Sequence, residues 1–121
     1  MDEEVSWLVE VTVKPGELDN LRALVAEMVA STRDEAGALA YQWYVTNDGS
    51  AVHIYERYAN TAAVMTHLQA FGSKFGERFF AAVDLTRWMI YGTPSTEVKS
   101  ALNTFGPTYL GHFGGFVRLV V

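Results

Sequence analysis

His67 is the side chain best suited to move a proton near neutral pH. Its ordinary pKa of about 6.5 lets burial or a neighbouring carboxylate tune it across the physiological range. It falls beside Ala62, Met65 and Leu68, which recur at helical spacing. Such a histidine either acts as a base or packs at a helix–sheet seam and donates to a backbone carbonyl. Tyr41 and Glu56 face one another if the strand-like runs 39–47 and 51–58 are arms of a hairpin turning at Asp48-Gly49. A carboxylate on the buried side of that hairpin needs a hydrogen-bond donor, and Tyr41 is the obvious one. In a structural pair that is its whole role. In a functional pair Tyr41 binds a substrate oxygen while Glu56 tunes Tyr41 or His67. Trp43, Trp88, Phe75 and Phe79 either fill the core or line an aromatic slot. His53 falls on the other hairpin face and His112 on a terminal arm, where neither is expected to be catalytic.

Several chemistries lack their residues. Cysteine is absent, which removes disulfides, thiolate nucleophiles and thiolate metal ligands. The three histidines have no metal-ligand spacing with one another or with a carboxylate. Gly72-Ser73-Lys74 lacks the preceding glycine and the residue order of a phosphate loop. Gly111-His112-Phe113-Gly114-Gly115 follows no βαβ unit, so it is no dinucleotide fingerprint. No nucleophile-elbow motif supports a serine triad. A net charge of -5, with nine scattered Lys and Arg, argues against nucleic acid. No apolar run reaches the roughly 20 residues of a membrane span. The start, Met1-Asp2-Glu3-Glu4, is acidic where a secretory signal is basic, so a cytoplasmic location is expected.

The elements that must hold these groups follow from period and punctuation. Residues 5–14 are β-branched and aromatic, apolar on both faces in the first half, as a central strand requires. Pro15-Gly16 ends them. Leu18, Leu21, Val25, Met28 and Val29 mark a helix from Glu17 to about Ala36, with Gly37 as its left-handed closing residue. The Asp48-Gly49 turn pairs Val45 with Val52, Tyr44 with His53, Trp43 with Ile54, Gln42 with Tyr55, Tyr41 with Glu56 and Leu39 with Tyr58. Leu39, Tyr41, Trp43, Val45, Val52, Ile54, Glu56 and Tyr58 then share the helix-facing side. Asn60 is a good N-cap for a helix that breaks at Gly72-Ser73 and restarts from Lys74 to Val83. Residues 85–91 form a fourth strand. The order β-α-β-β-α-β predicts an α+β, ferredoxin-like sandwich with its first and third strands central.

Residues 93–121 extend this single domain, 1–121. Pro94 suits a first helical position, Val98, Ala101, Leu102 and Phe105 form a stripe, and 108–118 read as a fifth strand or arm. Helices cover one side of the sheet, which leaves Tyr44, Tyr55 and His53 on the other. A second copy packed about a two-fold axis is the simplest cover, so a homodimer is expected. The terminal strand either stays on its own sheet or crosses to the partner.

Val13-Lys14-Pro15-Gly16 with Leu18, Ala36-Gly37-Ala38-Leu39-Ala40-Tyr41, Ile54-Tyr55-Glu56-Arg57-Tyr58 and Thr66-His67-Leu68 together resemble the antibiotic biosynthesis monooxygenase (ABM) domain family. That family is a branch of the dimeric α+β barrel superfamily, and the resemblance spans roughly residues 5 to 92. It implies a dimeric barrel with a pocket between sheet and helices in each subunit. It also implies oxygenation of a quinol- or anthrone-like aromatic by O₂ without flavin or metal, so no cofactor. In this picture His67 is the base, Tyr41 orients the substrate, and Trp43, Glu56, Tyr58, Phe75, Phe79 and Trp88 surround it. Tyr58 stands where many members carry Trp. The first strand has no Asn, which departs from the Asn, Trp and His set of the haem-degrading branch. The rival reading is a non-catalytic or accessory barrel that binds a hydrophobic small molecule. A third is an isomerase or lyase that uses the same base without oxygen.

Overall fold

The computed structural model describes residues 4–119, so Met1, Asp2 and Glu3 of the N-terminal reading lie outside the described residues. Strand β1 (Val5–Val13) leads to helix α1 (Leu18–Arg33), and the hairpin β2 (Ala38–Val45) and β3 (Ala51–Tyr58) follows. Helices α2 (Thr61–Lys74) and α3 (Gly76–Ala82) precede β4 (Val83–Tyr91). Helix α4 (Thr96–Leu102), a 3₁₀ turn and the short strand β5 (Thr108–Leu110) complete the order. The sheet order is β2-β3-β1-β4-β5. β1 is antiparallel to both neighbours, and β5 runs parallel to β4. Its first four strands have the ferredoxin-like arrangement, with β1 and β3 interior.

Alternation along β1 separates the two faces. Val5, Trp7, Val9 and Val11 are buried under the helices, whereas Ser6, Leu8, Glu10 and Thr12 point to the uncovered side. Leu21, Leu24 and Met28 of α1, Val64 of α2, Phe79 of α3, and Val98 and Leu102 of α4 complete the core. Asn60 caps α2 as expected, its side chain accepting from the Ala63 N–H at 2.9 Å.

The hairpin register holds from Tyr41↔Glu56 to Val45↔Val52. The reversal is wider than two residues. Gly49 donates to the Thr46 carbonyl and takes a positive φ, while the Asp48 carboxylate accepts from the Ser50 N–H, the Ser50 hydroxyl and the Thr46 hydroxyl. The turn keeps the same centre, so the pairing survives. At the far end a bulge intervenes, and Ala38 instead of Leu39 lies opposite Tyr58. Leu39 is thereby turned outward and exposed, and Val45 is also exposed at the hairpin tip.

Other boundaries move for local reasons. α1 ends at Arg33, where Asp34 and Glu35 donate back to Ser31 and Thr32 in a tight turn, so Gly37 is not its left-handed cap. Gly37 serves a close approach: a Cβ there would sit 2.5 Å from that of Ala63. The break between α2 and α3 falls at Phe75, three residues past Gly72, which stays helical. Ser95 caps α4 and leaves Pro94 one position before the cap. Strand pairing after Gly106 lasts only through Leu110; residues 111–119 leave the sheet fully exposed, Phe113, Phe116, Val117 and Leu119 among them.

Candidate active site

The site begins with the close approach at Gly37. Because no side chain intervenes there, the turn after α1 can lie against the first turn of α2. That brings the Glu35 carboxylate to 3.1 Å from His67 Nδ1. His67 lies two helical turns beyond its Asn60 cap, on the face of Val64, Leu68 and Phe71 that looks down on the sheet. Below it, cross-strand registers align Tyr41, Glu56, Trp7 and Ile90 in one row over β2, β3, β1 and β4. His67 Nε2 is 3.3 Å from Glu56 Oε1, which also accepts from the Tyr58 hydroxyl at 2.5 Å. The expected donor to Glu56, Tyr41, sits across the strand, but Tyr58 makes the bond from the same face of the same strand. Tyr41 instead sets its ring edge-on to His67 at 5.4 Å.

Carboxylates only accept, so two of them at the two ring nitrogens call for both nitrogens to carry protons. The side chain of His67 is only 7% exposed. Burial by itself pushes its pKa down, but the hydrogen bonds and charges of Glu56 and Glu35 outweigh burial and leave it above the ordinary value. One imidazole ring is thus flanked by two carboxylates. Glu35 Oε2 is buried without a protein partner, so the cluster has acceptor capacity in reserve. Burial first, and then the charge of Glu56, push the phenols of Tyr41 and Tyr58 far above their usual range and keep both neutral donors.

A cavity of about 400 Å³ opens beside this cluster, within the range of small-molecule sites. Tyr41, Glu56 and His67 form part of its lining, with Phe79 and Trp88 among its aromatic walls. Trp43 lines a separate groove against α1. Tyr58 lies behind Glu56, and Phe75 is buried at the α2–α3 junction outside the lining. Sequence reasoning missed Glu35, Trp7, Phe71, Phe80 and Phe105. One signal for Glu35 was available: a carboxylate just past a helix C-terminus opposes the helix dipole and needs a cationic partner. Among the described residues no group of three or more His, Cys, Asp or Glu side chains is arranged to hold a metal ion. No helix among them is long and apolar enough to cross a membrane.

Known proteins share this framework. MupZ from Pseudomonas fluorescens superposes with a TM-score of 0.85 at 18% identity, over 98% of this chain and 91% of that one. A putative antibiotic biosynthesis monooxygenase from Bacteroides thetaiotaomicron gives 0.63 at 25% identity, over 69% and 84%. SnoaB, a cofactor-independent oxygenase from Streptomyces nogalater, gives 0.64 at 14% identity, over 78% and 96%. No curated protein matches the chain. Residues 5–74, more than half of the sequence, match the antibiotic biosynthesis monooxygenase family, and the chain belongs to that family.

Proposed function

We propose that the protein oxygenates a small quinol- or anthrone-like aromatic with O₂, the substrate itself supplying the electrons. The observation that carries this reading is the aromatic cavity ending on Tyr41, Glu56 and His67. A substrate proton passes to the negatively charged Glu35–His67–Glu56 chain, through Glu56 at the cavity wall. Tyr41, a neutral donor, holds the oxyanion that remains. That anion gives one electron to O₂, and the two radicals combine into a peroxide on carbon. Loss of water leaves a carbonyl, so CH₂ and O₂ become C=O and H₂O. His67 thus acts by relaying charge between two carboxylates. The description of SnoaB as a cofactor-independent oxygenase supports such chemistry on this fold.

A second reading has its own support. A protonated imidazole between two carboxylates is a stored proton, as suited to an isomerase or lyase as to oxygenation. Oxygen uptake by chelator-treated protein given anthrone separates the readings. Uptake should fall about 100-fold or more in His67→Gln, with the fold retained. Uptake unchanged in that variant would remove His67 from the mechanism. Solvent deuterium entering the probe under nitrogen, without uptake in air, would select the isomerase or lyase. Binding without either reaction would select an accessory, non-catalytic barrel.

The working form in this proposal is a homodimer. Exposed Tyr44 and half-buried Tyr55 on the open sheet face, with the apolar tail of Phe113, Phe116, Val117 and Leu119, support a second copy as their cover.

A further inference from the structure

The charge around the cavity is one-sided. Its ionisable lining consists of Tyr41, Glu56, His67 and Glu77, with Glu35 behind His67. All nine Lys and Arg residues are among those described, and none of them lines it. Those on the surrounding elements are engaged elsewhere. Arg78 of α3 bonds Glu27 at 3.0 Å, Arg87 of β4 bonds Glu10 on the open face at 2.7 Å, and Lys99 of α4 lies over the Tyr109 ring at 5.4 Å. The exposed members of the lining are Gly72, Glu77, Phe80 and Phe105, so the mouth lies between the α2–α3 junction and the 3₁₀ turn. Glu77 thus sets a carboxylate at the rim, and Glu56, 5% exposed, sets another at the closed end. His67 already faces two carboxylates and offers no free positive charge.

We propose that this cavity takes an uncharged aromatic and excludes one that bears a carboxylate, sulfate or phosphate. This rests on the reading of the cavity as the substrate site and narrows the substrate class. An anion entering here loses water without gaining a cation, and it meets like charge at both ends. A neutral phenol or C–H acid behaves differently. Its proton moves to the carboxylate–histidine cluster, so the total charge enclosed is the same before and after deprotonation. Any further acidic group on the natural substrate is therefore masked, as an ester, amide or lactone.

Calorimetry at about pH 7.5 with 6-hydroxy-2-naphthamide and 6-hydroxy-2-naphthoic acid tests it, since the two share a shape and differ in charge. The parent protein should bind the amide about 30-fold more tightly or better. Glu77→Lys should narrow that ratio about fivefold by placing a cation at the rim. Asp19→Lys makes the same change in net charge at the start of α1, away from the cavity, and should leave the ratio as it was. Equal or tighter binding of the acid by the parent overturns the exclusion of anions and leaves the site itself standing. A ratio that both lysine variants shift equally, or that neither shifts, overturns the role given to charge at the mouth. Failure of both compounds to bind overturns the site and its selectivity together.

Discussion

Each face of the sheet sets a histidine against a glutamate at 3.3 Å: His67 with Glu56 under the helices, His53 with Glu10 on the open side. The side chain of His53 is 47% exposed, and Glu10 also pairs with Arg87 at 2.7 Å. In a single subunit, water can reach those contacts. His67 has no such substitute, and its second nitrogen meets another buried carboxylate. Equal distances thus describe unequal interactions, because breaking a buried pair strands a charge in a poor solvent while an exposed pair exchanges with water.

Removing one partner from each pair tests this contrast most sharply. Glu56→Ala should destabilise the fold by about 3 kcal/mol in urea titration, since it strips His67 of one carboxylate and Tyr58 of its acceptor. Glu10→Ala should cost much less than Glu56→Ala; equal losses would erase the distinction between the faces. Gly37→Ala should cost about 2 kcal/mol, because its methyl must displace Ala63 and with it the approach of Glu35 to His67. A smaller effect is set by pH. Folded His67 titrates above its unfolded value, so its stabilisation is complete below about pH 6.5 and is lost as pH rises through the folded pKa. The slope should approach at most about 1.4 kcal/mol per pH unit, and His67→Gln should flatten it. A parent whose stability rises through that window would contradict a charged His67.

What could be read from sequence was whatever local pattern decides. Alternation and the Asp48-Gly49 centre set which residues face the helices from Tyr41 to Val45, because adding residues symmetrically to a turn does not move its centre. Asn60 announced its helix through its own side chain. The bulge beside Leu39 was hidden, since Ala38, Leu39 and Ala40 fit either register by type. Glu35 gave only the weak signal of a carboxylate past a helix C-terminus, because a carboxylate in a turn looks solvated until a distant helix is laid against it. Gly72-Ser73 suggested a break, but both residues stay within α2. The fifth strand was overextended because residues beyond Leu110 have strand-like composition but no neighbouring strand to bond. Tyr58 displaced Tyr41 as donor to Glu56 because reach along one strand face, not opposition across two, determined that bond.

The cavity is assembled from two parts of the chain with different histories open to them. Glu35, Tyr41, Glu56 and His67 fall within the residues 5–74 that match the family, whereas Phe79, Trp88, Ala101, Leu102 and Phe105 of its wall fall beyond them. Substitutions in the later segment can reshape the cavity wall without touching His67 or the two carboxylates beside it. The shape of the chamber and the charge at its end can therefore be altered separately.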